Sequence, residues 1–446
     1  MVPAQLIVND EFRWQALAWA VTQPGQFVAF LNNNGIAYPN DPFPNRLYVG
    51  AKRVVCLNAE KQSNTQRAQR EVDFFKALAD AQQVRPSHWV GYFGYDLKNQ
   101  VEDLHSRNPD RLGFPDAYFV EPEWVLDFQG DTVFITGEGS ADALLQTIRT
   151  HPSTPYPLYL TPHPLPPIRC RVSPDEYQAN VRRVQQLIRE GDVYELNYCI
   201  EFFREDALLD PLTTYRALTE RSPMPFSSFL KLGDRYVLGA SPERFLKKDG
   251  RRLISQPIKG TIRRGQSPAE DQSLRRQLLA SEKERAENLM IVDLVRNDLA
   301  RSAETGSVRV DELFGIYGFR QVYQMISTVS ATLRERVSWA DAIRHAFPMG
   351  SMTGAPKIRA MERIDELEVS RRGVYSGAIG YITPDNDFDF SVVIRSLLYN
   401  AQTRYTSFSV GSAITYDADP EEEWHECLLK AQAIRDVLET PLAQNR

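Results

Sequence analysis

Two Glu-x-x-Glu spacings are the residues best placed for chemistry: Glu284 with Glu287 in SEKERAENLMIVDLVRND, and Glu423 with Glu426 in DPEEEWHECLLK. Three residues apart on a helix, two carboxylates share one face, and two such faces brought together offer only oxygen donors, which suits a hard cation such as magnesium. A solvated acidic helix face would carry the same spacing. The apolar LMIVDLV after Glu287 predicts instead a substantially buried helix. A second candidate is FPMGSMTGAPKIRAMERIDELE, where a Gly-Ser-Met-Thr-Gly loop feeds a helix with Pro356 near its first position. Free amides there, with the Ser351 and Thr353 hydroxyls, could bind an anion. The spacing is not that of a phosphate loop, so a carboxylate is as good a ligand as a phosphate, and a tight capped turn would look the same. The third is Lys259 in QPIKGTIRR, a nucleophile or base only if burial or positive neighbours lower its pKa, and otherwise an exposed strand-end lysine. Glu243 in GASPERF is a general acid if desolvated, or a surface carboxylate paired with Arg244. The six histidines show no metal spacing and no triad, and no G-x-G-x-x-G with a following acidic residue suggests a dinucleotide.

The elements that must position these groups are mixed. RLYVGAKRVVCL alternates like a strand, Ser63 to Gln83 reads as a helix, and HWVGYFGY (88–95) as a glycine-punctuated strand. Prolines at 152, 155, 157, 162, 164, 166 and 167 exclude helix and central strand and mark a connector, dividing an amino-terminal lobe (1–165) from a catalytic region (166–446). Ser173-Pro174-Asp175-Glu176 predicts a capping box opening a helix that runs to about Glu190. Further helical patterns cover 271–299, 339–347, 356–367 and 420–438. The stretches 226–262 and 374–410 alternate apolar runs with Gly-Asp, Lys-Asp-Gly and Pro-Asp-Asn turns and predict antiparallel meanders.

Composition bounds the rest. At 446 residues, 42% hydrophobic and 25% charged, the chain is globular and enzyme-sized. Its net charge of −6, with signs interspersed, lacks the basic footprint of a nucleic-acid binder. No apolar run approaches a spanning helix, and MVPAQLIVNDEFRW is no signal peptide. Four cysteines without a CxxC pair suggest reduced thiols and the cytoplasm.

Read in order, GDVYELNY, PFSSFL, SPERF, PIKGTIRR, AENLMIVDLVRND, GSMTGAPK, YSGAIGY, VIRSL and DPEEEWHECLLKA, with GYFGYDL before them, resemble the motif series of the chorismate-utilising enzymes. The resemblance implies an α/β fold of the α+β type, two-lobed, with large antiparallel sheets packed face to face and flanked by helices. Members that make anthranilate read P-I-A-G-T where this chain has P-I-K-G-T, the form of those that make 4-amino-4-deoxychorismate from chorismate and ammonia for p-aminobenzoate and folate. It implies that Lys259 attacks C2 of chorismate and that Glu243 protonates the departing C4 hydroxyl. Glu284, Glu287, Glu423 and Glu426 would hold Mg2+ against the ring carboxylate. Arg395 and Tyr375 would meet the pyruvyl carboxylate, with Thr353, Gly411 and Lys430 elsewhere in the pocket. Gln324 stands where many relatives carry histidine; its amide can hydrogen-bond the C4 hydroxyl but cannot relay a proton. Position 195 lacks the lysine that activates water in isochorismate formers, which argues against water as nucleophile. Ala413 stands where relatives are glycine-rich. Pro225, Phe226 and Ser227 match one side of a tryptophan pocket found in some relatives, and 43–46 match the other side poorly. The resemblance accounts for the chain without a glutaminase, so a glutamine amidotransferase subunit is the expected ammonia source. The alternatives are an anthranilate-forming enzyme and a non-catalytic chorismate-binding regulatory subunit.

Overall fold

A computed structural model describes residues 4–23, 25, 27–57, 73–151 and 166–439. The connector's prolines 152–164 and the first ten residues of the predicted helix 63–83 lie outside the described residues; the remainder of that helix is Phe74–Val84.

Two large antiparallel sheets dominate. The twelve-stranded sheet runs from Ala4–Ile7 at one edge through Val28–Asn32, Phe226–Leu232 and Arg235–Ser241 to Tyr405–Ile414, Glu195–Arg204 and Gly354–Ala355 at the other. The ten-stranded sheet includes Ile258–Arg263, Val322–Thr332, Arg244–Asp249, Phe388–Val392, Ala378–Ile382 and Trp89–Phe93. Strands from both sides of the proline-rich connector enter each sheet, so the two sequence segments share their hydrogen-bonded framework.

Period-two alternation explains how the sheets stack. In the larger sheet Ala29, Leu31, Tyr48, Leu230, Val237 and Leu398 face the core shared with the smaller sheet. Their neighbours Val28, Phe30, Leu47, Phe229, Leu238 and Leu397 face a second core under the helices Asp10–Thr22, Pro174–Arg189, Pro211–Arg221, Lys357–Leu367 and Pro420–Glu439. Strand Trp89–Phe93 is buried along its whole length because it lies inside the smaller sheet and is covered on both faces. Phe93 packs on Phe75, Phe119, Phe347 and Phe390 at centroid distances of 4.6–6.2 Å.

The capping box forms as the sequence predicts: the Ser173 hydroxyl accepts from the Glu176 amide, and the Glu176 carboxylate accepts from the Ser173 amide. The pattern at 271–299 resolves into two helices, Pro268–Ala280 and Glu282–Ala300, because Ser281 caps the second. That second helix is buried on one face only. Asn288, Ile291, Val292 and Val295 point inward, whereas Leu289 and Met290 are 52% and 40% exposed, so the apolar run after Glu287 overstates its burial. Among the described residues no helix is long and apolar enough to cross a membrane.

Candidate active site

The chain passes from one sheet to the other twice at the site, and each passage delivers a charged side chain. Glu243 lies between strands Arg235–Ser241 and Arg244–Asp249, and Arg395 between Phe388–Val392 and Ser396–Asn400. Arg395 has a φ of 50°, a left-handed conformation a side-chain-bearing residue rarely adopts. Its guanidinium makes no hydrogen bond or ion pair among the described residues, and burial lowers its pKa against a weaker opposing pull from Glu243. A half-buried, unpaired arginine at a strained position suits an anionic group such as a carboxylate.

Glu243 is not the partner of Arg244. That arginine closes a bidentate pair with Asp389, Nε to Oδ1 and Nη2 to Oδ2 at 2.8 Å each, and is wholly buried. Glu243 is 5% exposed, and burial pushes its carboxyl up to about 7, against the opposing Ser351 hydroxyl, Lys259 ammonium, Ile258 amide and Arg395. An acid that keeps its proton near neutral pH can donate it in a reaction.

Lys259 projects from Ile258–Arg263 and is neither the exposed lysine of the bland reading nor one with a depressed pKa. Burial pulls its ammonium down, but Glu195, Glu287 and Glu426 outweigh burial and leave it raised. Its Nζ sits 3.4 Å from Glu195 Oε1. Neighbouring Gln324, opposite Thr261 in the adjoining strand, is buried with its amide oxygen unpartnered.

The four glutamates face one another from helices Glu282–Ala300 and Pro420–Glu439. Burial raises Glu284, Glu287 (to about 7) and Glu423. The Glu426 charge raises Glu284 and Glu423 further. The Glu426 side chain is 46% exposed; desolvation still acts upward on it, but the ammonium groups of Lys430, 2.6 Å away, Lys259 and Lys283 together outweigh that and leave the acid below its ordinary value. Ser412 donates to Glu423 at 2.5 Å, and Lys283 lies 3.7 Å from Glu423. No three carboxylate, histidine or cysteine groups among the described residues converge tightly enough to hold a metal as they stand. The donor set nevertheless fits a hard cation: all its ligands are oxygens, and Glu284, Glu287 and Glu423, crowded and at least partly withdrawn from water, hold protons that a divalent charge would displace.

Beside these groups, Lys430 also donates to the Gly411 carbonyl at 2.8 Å. Gly411 pairs with Cys199, whose Sγ would lie 2.4 Å from any Cβ at 411. Tyr375 reaches that thiol at 3.7 Å, and Ala413 pairs with Asn197. The 350–355 loop, a short turn and a two-residue strand, feeds the helix Lys357–Leu367 with Pro356 just before its first residue, as the sequence predicts. The Met352 and Thr353 amides bond back to Met349 and Gly350, and Gly354–Ala355 pairs with Glu195–Leu196, so these loop amides are engaged, while the helix that follows has no side-chain cap. Thr353 is buried, donates to Met349 O and accepts at its carbonyl from the Asn197 amide. Arg372, paired with Glu368 at 2.6 Å, ties Met352 O to Asn197 O and fixes this loop on the sheet. Glu195, Ser351, Asn197 and Arg372 are thus part of the site or its support; Ser351 carried a signal in the sequence, Glu195 only as a position lacking lysine, and Asn197 and Arg372 none.

Phe226 pairs with Ser241 across the strands and lies beneath the Arg244 guanidinium, 5.0 Å from it. The Phe226 ring lies 4.8 Å from Tyr38 and 5.0 Å from Phe43, so this chain's own rings occupy the space beside it, and Ser227 accepts from Asn34 at 2.8 Å.

Comparison with known proteins meets this geometry. Residues 34–436 match the family described as chorismate binding enzyme. The chain belongs to that family. It is 42% identical over 370 residues to an aminodeoxychorismate synthase of Streptomyces griseus, covering 79% of this chain, and spans half the length of that relative and of its Streptomyces pristinaespiralis counterpart. Component 1 of aminodeoxychorismate synthase from Escherichia coli is 34% identical over 399 residues, covering 87% of this chain and 86% of its own. Among solved structures, anthranilate synthase component I from Streptococcus pneumoniae superposes with a TM-score of 0.72 at 27% identity, covering 98% of this chain and 92% of its own.

Proposed function

We propose that this chain converts chorismate and ammonia to 4-amino-4-deoxychorismate, as an aminodeoxychorismate synthase component I on the route to p-aminobenzoate and folate. The observation that supports this reading is a largely enclosed lysine, Lys259, in one site with a carboxylic acid, Glu243, that burial keeps protonated to about pH 7. Arg395, unpaired and half-buried, receives the pyruvyl carboxylate with Tyr375, while Thr353, Gly411 and Lys430 shape the pocket. The Gln324 amide holds the C4 hydroxyl. The Lys259 nitrogen forms a bond to C2 as Glu243 gives its proton to the C4 hydroxyl, which departs as water. Ammonia then adds at C4 and the C2–nitrogen bond breaks, returning the electron pair to lysine. Two easier displacements replace one difficult one.

Glu284, Glu287, Glu423 and Glu426 would hold Mg2+, which when bound supplies positive charge opposite the ring carboxylate. A glutamine amidotransferase subunit is the proposed ammonia source, and four cysteines with no disulfide among them suit a reducing compartment such as the cytoplasm. The likeness to anthranilate synthase component I keeps a second reading open, which would release pyruvate and an aromatic product. A regulatory, non-catalytic role would show no turnover of chorismate at all. Lys259→Ala tests the lysine's part: ammonia-dependent turnover is expected to vanish, and unchanged turnover would remove the covalent mechanism.

A further inference from the structure

Glu195 opens the strand Glu195–Arg204. Alternation sends Leu196, Tyr198 and Ile200 into the core under the helices and turns Glu195, Asn197 and Cys199 to the opposite face, where the site lies. The carboxylate is 3% exposed, and among the described residues its sole hydrogen-bonding partner is Lys259, at 3.4 Å. Its backbone is fixed as well: Glu195 pairs with Ala355, and Gly354 packs so closely on the Glu195 carbonyl that a Cβ there would stand 2.1 Å from the oxygen. A carboxylate held rigidly against one lysine has little freedom to serve anything else.

The other acidic groups acting on Lys259 are engaged. Glu426 is paired with Lys430, Glu243 enters the reaction protonated, and Glu284 and Glu287 belong to the carboxylate cluster of their helix. The lysine rests as an ammonium, and an ammonium has no electron pair with which to attack. Its proton needs an acceptor in contact with Nζ, and Glu195 is the carboxylate within hydrogen-bonding distance of that atom among the described residues.

We propose that Glu195 takes the proton from the Lys259 ammonium before bond formation and returns it when the lysine is released. The inference rests on the covalent reading above. The balance closes. Proton transfer leaves a neutral amine and a protonated Glu195. The amine bonds to C2 while the C4–oxygen bond breaks and Glu243 supplies the proton that makes water. Ammonia bonds to C4, the C2–nitrogen bond breaks, and the neutral lysine recovers its proton from Glu195. The surplus proton on the new C4 nitrogen restores Glu243. The net change is chorismate plus ammonia to aminodeoxychorismate plus water.

The test compares Glu195→Gln and Glu195→Ala with the unaltered chain in ammonia-dependent turnover of chorismate, with Lys259→Ala alongside. Glutamine keeps the size and can accept the hydrogen bond but not the proton. The expected result is a fall in kcat of about 100-fold, the lower range for general acid–base catalysis, with the chorismate KM within about threefold of the unaltered chain. Formate should restore part of the activity of Glu195→Ala by filling the vacated carboxylate position, a response that a purely structural role would not produce. A Glu195→Gln chain with unaltered kcat, or a loss accompanied by a raised KM and no formate rescue, would overturn the assignment. Full turnover by Lys259→Ala would instead withdraw the covalent reading itself, and an inactive Lys259→Ala beside a fully active Glu195→Gln withdraws only the role of Glu195.

Discussion

Replacing Glu243 by glutamine should stabilise the fold and abolish the chemistry together. Burial raises this carboxyl from an ordinary 4.5 to about 7. In the unfolded chain the group ionises near its ordinary value, so between pH 4.5 and 7 the unfolded state sheds a proton that the folded state retains. Stability is therefore fully present below about pH 4.5, declines as pH rises towards 7, and is level above. A shift of that size corresponds to about 3 kcal/mol at one pKa unit per 1.36 kcal/mol. Glutamine never ionises, so Glu243→Gln should gain on the unaltered chain across that window, by up to about 3 kcal/mol at pH 8 and by almost nothing at pH 4.5, read from urea midpoints at each pH. Its turnover should fall by about 10²–10⁴-fold, because the departing hydroxyl loses its proton donor. In the unaltered chain kcat should decline above pH 7 as Glu243 ionises, and in the variant that limb should disappear. Equal stability difference at pH 4.5 and 8, or turnover within threefold of the unaltered chain, would refute the reasoning.

Three further outcomes are expected. Arg395→Gln removes a charge-assisted contact worth about 1.5–3 kcal/mol, so the chorismate KM should rise roughly 10- to 150-fold in steady-state kinetics; an unchanged KM would place the pyruvyl carboxylate elsewhere. Chelation should abolish activity and added magnesium restore it, with Glu287→Gln beyond restoration; activity surviving both treatments would remove the metal assignment. Gly354→Ala puts a methyl group 2.1 Å from the Glu195 carbonyl at a φ of 149°, and should lower stability by about 1–3 kcal/mol in urea titration; a neutral effect would mean that the loop shifts freely.

Much of the site was legible in the sequence, for physical reasons that differ from residue to residue. Ser173, Pro174 and Glu176 form a local cap that needs no tertiary context, and it appears as read. The paired glutamates were legible because helical spacing puts them on one face, and Lys259 and Glu243 because ordered motifs surround them. What escaped the sequence depends on contacts between distant segments. Arg244 prefers Asp389, 145 residues away, which frees Glu243, and no local spacing announces that choice. Glu195 meets Lys259 across 64 residues. The helix Lys357–Leu367 begins where Pro356 predicts, but no local spacing announces that Gly354–Ala355 pairs with Glu195–Leu196 and draws the preceding loop into the sheet edge. Leu289 and Met290 show that an apolar run does not establish burial, since a helix packed on one side leaves some of them in water.

The central claim is that chorismate receives an amino group at C4 and keeps its side chain. The most direct measurement is to incubate the purified chain with chorismate, magnesium and an ammonium salt and to identify the product by mass, with isotopically labelled ammonia as the nitrogen source. The account predicts a non-aromatic product that retains the pyruvyl group, carries the labelled nitrogen, and forms with no release of pyruvate. Labelled anthranilate accompanied by pyruvate, or chorismate recovered unchanged, would contradict it.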